Sequence, residues 1–80
     1  MKICDQLDRL AHAVRALETA GCRVIEARAC SHALPTVLLA TDTPCPPTFV
    51  VGEPLIESLF GVQHFTVETT LGVCVTGCLR

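Results

Sequence analysis

Ile3, Leu7, Leu10, Val14 and Leu17 recur at a 4-3-4-3 spacing, and Ala13 and Ala16 widen the stripe they draw. Asp8, Arg9, His12, Arg15 and Glu18 fill the opposite side, so the first segment reads as an amphipathic helix. Asp5 stands where a helix cap is expected, Asp8 adds negative charge to the first turn, and Gly21 offers the left-handed residue that ends the helix. After Gly21 the period falls to two. Residues 22–29 alternate, with Ile25, Ala27 and Ala29 predicted on the core face and Cys22, Val24, Glu26 and Arg28 on the other. A β-branched and aliphatic run over 36–41 makes a second strand, joined to the first by a connection of hairpin length.

Pro44, Pro46 and Pro47 make 42–47 a stiff, extended connector that cannot form a regular ladder. A brief strand over 48–51 is followed by Gly52-Glu53-Pro54, with Pro54 at the first position of a predicted short helix through Phe60 and Gly61 after its end. Leu55, Ile56, Leu59 and Phe60 form the apolar side of that helix. Residues 64–79 read as a hairpin turning at Thr70-Leu71-Gly72. Phe65, Val67, Val73 and Val75 point to the core; Thr66, Glu68, Cys74, Thr76 and Cys78 point away.

This order predicts a single small α+β domain over residues 1–80. The N-terminal amphipathic helix packs on one face of an antiparallel sheet of about four strands, and the insertion carries a short second helix. The second sheet face would carry Cys22, Val24, Thr66, Thr76, Cys74, Cys78 and either Leu38 or Val37, interrupted only by Glu26, Arg28 and Glu68. That is little charge for a solvated face, which leaves two readings: a partner or second copy covers it, or the short helix and proline segment fold back over it. The partner-binding residues expected on the first reading are Val24, Glu26, Arg28, Leu38, Thr66, Glu68 and Thr76. A charge at Val24 would then weaken partner capture with little loss of stability, whereas a charge at Leu10 would unfold the chain.

Composition strengthens the case for a covered surface: 50% of the 80 residues are apolar and 18% charged, and a domain of this size buries only about 60% of the surface its unfolded chain exposes. The net charge of −2 and six scattered Lys and Arg residues provide no basic stripe for nucleic acid. Asp5, Asp8 and Arg9 stand where a secretory signal would need an apolar run, and the uncharged stretch 29–41 is too short to span a bilayer. The expectation is a cytoplasmic protein without membrane insertion. Its six cysteines are then reduced thiols serving as small apolar residues. Cys74 and Cys78, four apart on a strand, stand about 13 Å from one another, too far to share a zinc ion whose ligands lie about 2.3 Å away. A cross-strand pair or the local Cys30-Ser31-His32 cluster is the remaining geometry for a metal. His12, His32 and His64 lack an orienting motif, Glu53 and Glu57 fit the start and outer side of the short helix, and the five glycines sit singly, with no phosphate-binding loop. No catalytic, cofactor-binding or metal-binding residue is assigned, and the chain reads as non-enzymatic.

The run LDRLAHAVRALETAGCRVIEARACSHALPTVLLA, followed after the insertion by FTVETTLGVCVTGCLR, resembles the small accessory proteins encoded by Mu-like temperate phages of pseudomonads. Residues 7–21, 35–40 and 65–75 carry the resemblance, which lies in element ends and apolar spacing. It implies a phage-encoded, host-modulating protein in the host cytoplasm that binds a host protein stoichiometrically, such as a defence complex or a pilus-assembly ATPase, and inhibits or redirects it. The alternatives are a cysteine-dependent metal-binding or thiol regulatory protein, and a homodimeric structural module that pairs two copies of the free face.

Overall fold

The computed structural model describes residues 2–29, 33–41 and 43–79, with Leu79 by its backbone alone. Helix α1 runs Ile3–Thr19 and ends as the sequence requires. Gly21 takes φ +93°, its amide donates to Glu18 O at 3.0 Å, and the Cys22 amide donates to Leu17 O at 2.9 Å. This double closure satisfies the last helical carbonyls and seats Cys22 against Leu17, both buried. The start differs from expectation. Lys2 occupies the capping position without a side-chain bond, and Asp5 lies inside the first turn, where its charge favours the helix dipole rather than capping it. The buried stripe is also rotated: Gln6, Leu10, Ala13 and Leu17 face the sheet, while Ile3 and Leu7 are exposed. Gln6 holds this position because its Nε2 donates to Ala33 O at 3.3 Å, tying the helix to the approach of the second strand.

The described strands are β1 (Val24–Arg28), β2 (Thr36–Leu39), β3 (Val50–Leu59), β4 (Val62–Thr69) and β5 (Cys74–Leu79), in the sheet order β1-β2-β5-β4-β3. The sheet is mixed, not antiparallel throughout, because β2 runs parallel to β5, with Thr36 opposite Cys74 and Val37 opposite Val75. The direction follows from the connector. Residues 40–49 carry the chain from β2 to the far edge, and β3, β4 and β5 then return as an antiparallel meander. A 3-10 turn, Pro47–Phe49, precedes β3. Cys30, Ser31 and His32 of the β1–β2 connection, and Asp42 of the connector, lie outside the described residues.

The short helix expected after Pro54 is instead most of β3, a ten-residue edge strand. Leu55, Ile56, Leu59 and Phe60 have helical spacing, but β4 would otherwise present its entire outer edge unpaired, and ladder bonds from Leu55–Thr66 to Leu59–Val62 satisfy it. Pro54 is accommodated where the register shifts between Val51 and Leu55, the position on an edge strand where a missing amide is tolerated.

The core lies between α1 and one sheet face: Leu10, Ala13, Leu17, Cys22, Val37, Leu39, Phe65, Val67, Val73 and Val75. The Phe65 ring lies over Gly77 on the neighbouring strand, where a Cβ would stand 2.5 Å from the ring carbon Cε1. Thr69 closes the β4–β5 turn, its hydroxyl donating to Val73 O at 2.8 Å. No helix among the described residues is long and apolar enough to cross a membrane. Gly77→Ala is expected to lower the unfolding free energy by about 2 kcal/mol and the Tm by about 10 °C, read by calorimetry, with partial recovery when combined with Phe65→Leu.

Candidate interaction surface

The connector decides which face of the sheet stays open. Cys45 and Phe49 pack against the core, the Cys22 thiol donates to Pro44 O at 3.8 Å, and the Thr70 amide donates to Phe49 O at 2.9 Å. The proline segment therefore covers the same face as α1. None of the described elements packs over the opposite face.

Register assigns that open face residue by residue. Glu26 lies opposite Leu38 and Arg28 opposite Thr36; Leu38 is opposite Thr76, Thr76 opposite Thr66, and Cys74 opposite Glu68. Four of the seven expected residues, Glu26, Arg28, Leu38 and Thr76, line one shallow hollow of about 230 Å³ together with Thr36. Glu26 and Arg28 form an ion pair within it. Thr66 adjoins through a 3.4 Å contact between its hydroxyl and that of Thr76, and Glu68 lies further along β4.

Val24 does not belong to this face. It pairs with Leu39 on the helix side and packs against the core, because the register slips between Val24 and Glu26. The same slip turns Ile25, expected in the core, outward to 62% exposure. Strict alternation fails across such an irregularity, since one extra residue inverts every side chain beyond it.

The densest exposed apolar surface lies on a segment that helical spacing disguised. Val51, Leu55, Ile56, Leu59, Phe60 and Val62 are six of the ten exposed large apolar side chains among the described residues, and all belong to the β3–β4 hairpin. Leu55 and Leu59 lie on the open face; Ile56, opposite Phe65, faces the other way. There it helps to line an apolar groove of about 210 Å³ with Pro44, Cys45, Val50, Pro54, Phe65 and Val67. The hairpin is thus apolar on both sides, because α1 lies over β1 and β2 at the other end of the sheet.

At the hairpin tip Phe60 has φ +52° and Gly61 φ +76°, a two-residue turn with both central residues left-handed. Such a turn makes Leu59 and Val62 a hydrogen-bonded pair, so Ile56 and Ser58 direct their backbone groups outward from the edge. The signal available in the sequence was Leu59-Phe60-Gly61-Val62, a glycine-containing turn between two strand-length runs.

Cys4, Cys22, Cys45, Cys74 and Cys78 are free thiols. Burial pushes the Cys22, Cys45 and Cys74 thiols up; the neighbouring Cys22 adds to the effect at Cys45, and Glu68 adds to it at Cys74. Among the described residues, no three His, Cys, Asp or Glu side chains cluster to hold a metal ion. The Cys30-Ser31-His32 cluster lies outside the described residues. Compared with protein-family models, with curated proteins and with solved structures, the chain gives no match.

The two sides of the sheet should respond differently to charge. Val24→Asp is expected to destabilise the fold by about 2 kcal/mol. Leu38→Lys, on the open face, should cost less than about 1 kcal/mol in the same urea titration followed by circular dichroism.

Proposed function

We propose that this chain is a non-enzymatic binding protein that grips another protein through the β3–β4 hairpin, its outer edge and the adjoining open face. The observation that carries this reading is Phe60. It stands fully exposed, at 104% relative exposure, in a left-handed conformation that bulky residues rarely adopt. Asparagine or aspartate would relieve the strain and hide no less apolar surface, so an aromatic at this position is accounted for by contact with something outside the chain.

The edge supplies the other half of the argument. The outward backbone groups of Ile56 and Ser58 suit the addition of a partner strand, while the missing amide of Pro54 and the adjacent register shift limit how far such a strand can extend. Glu26, Arg28, Leu38, Thr66, Glu68 and Thr76 would then form the more polar rim of the contact. The resemblance to phage accessory proteins gives the partner class: a host protein, inhibited or redirected by occupancy in the host cytoplasm.

Stability and binding should move in opposite directions at the tip. Phe60→Asn is expected to raise stability by about 0.5 kcal/mol while weakening partner capture about thirtyfold, the loss of one buried aromatic anchor worth about 2 kcal/mol. The measurement is recovery of a stoichiometric partner from host lysate at physiological salt, compared between wild type, Phe60→Asn and Leu55→Lys/Leu59→Lys. Equal capture by all three chains, or no capture by wild type, overturns the reading. Light scattering that gives twice the chain mass, reverting to one with Leu55→Lys/Leu59→Lys, would instead assign the hairpin to self-pairing.

A further inference from the structure

Three strands bring Glu57, His64 and Cys78 into one row across the open face. Glu57 on β3 is opposite His64 on β4, and His64 is opposite Cys78 on β5. Cys78 Sγ lies 3.4 Å from His64 Nδ1, within hydrogen-bonding distance for sulfur, and both side chains are half-buried. None of the other described thiols has an imidazole partner among the hydrogen bonds of the structure.

We infer that Cys78 is a reactive thiol activated by His64, a modification site for small disulfides such as glutathione disulfide. In the step, His64 Nδ1 takes the thiol proton and the Cys78 thiolate attacks one sulfur of the disulfide. The new sulfur–sulfur bond forms as the old one breaks, and the departing thiolate recovers the proton from His64. Cys78 and the disulfide thus give one mixed disulfide and one free thiol, with no other oxidant. Among the described residues, the other charges whose strand pairing places them on this face are Glu68 on β4, beside Cys74, and the Glu26–Arg28 ion pair of β1, while Glu53 lies in the irregular stretch of β3 between Val51 and Leu55. Glu68 opposes ionisation at Cys74, which burial already disfavours, so the two cysteines of β5 differ in reactivity although they share a strand and a face.

The inference does not depend on the hairpin binding a partner, because thiol exchange is read on the chain alone. The whole chain is treated with glutathione disulfide, and initial rates at each cysteine are followed by peptide mass mapping between about pH 6.5 and the ordinary thiol pKa of about 8.5. With His64 placed to take its proton, Cys78 is expected to react about tenfold faster in the folded chain than in the urea-unfolded chain across that range. His64→Gln should remove that tenfold at Cys78 and leave Cys4, on the helix, within twofold of its wild-type rate. The proposal is overturned if folded Cys78 reacts no faster than the same cysteine in the unfolded chain. It also fails if His64→Gln, with circular dichroism unchanged, leaves the Cys78 rate intact or slows Cys4 equally.

Discussion

At the seam where β2 runs parallel to β5, Val37 faces Val75 and both are sealed from solvent. An N-terminal unit of helix and hairpin and a C-terminal three-stranded meander share one apolar core there. Neither unit has enough buried surface alone: α1 packs over β1 and β2, yet the residues that fill the space beneath it include Phe65, Val67, Val73 and Val75 from the meander. An 80-residue chain has little hydrophobic surplus, so removing the seam would leave two marginal fragments rather than two domains.

The seam also fixes the asymmetry of the molecule. For β5 to run alongside β2 in the same direction, the chain must cross the sheet between β2 and β3, and its prolines, Cys45 and Phe49 make that crossing on the helix side. Both covering segments are thus committed to one face. The helix cannot reach the far edge, and the β3–β4 hairpin projects with apolar residues on both sides. Ten residues rising about 3.3 Å each make β3 about 33 Å long, close to the longest dimension of the molecule, 36 Å. The exposed ribbon, the open face and the Cys78–His64 pair are all consequences of where one connector lies.

Much of this was legible in the sequence because local chemistry and tertiary demand agreed. The helix and its Gly21 ending, the inward set Phe65, Val67, Val73 and Val75, and the turn at Thr70-Leu71-Gly72 each rest on a periodicity or a turn residue that the fold retains. Legibility failed where two signals coincided or where one residue broke phase. Pro54, the 55-56-59-60 spacing and Gly61 satisfy helix rules as well as they satisfy an edge strand and a two-residue turn; only the pairing needs of β4 distinguish the two, and those are not local. Val24 and Ile25 exchanged faces because a register slip is invisible to alternation. Gln6 replaced Leu7 in the buried stripe because a carbonyl 27 residues away required a donor. For the candidate surface, Glu26, Arg28, Leu38, Thr66, Glu68 and Thr76 lie on the open face as their alternation implies, but the hairpin that concentrates the exposed apolar area carries helical spacing and so does not show itself as a strand.

Thr36 and Cys74, the first partners of the parallel seam, are separated by 38 positions along the chain. Bringing such distant points together costs about 3 kcal/mol of chain entropy before any contact is gained, whereas the β3–β4 turn closes over two residues. Local hairpins therefore assemble early and the seam late, so for part of every folding event the valines of β2 and β5 lie bare beside unpaired strand edges. The molecule's kinetic vulnerability, to aggregation or to capture by a chaperone, is concentrated at its most protected native contact.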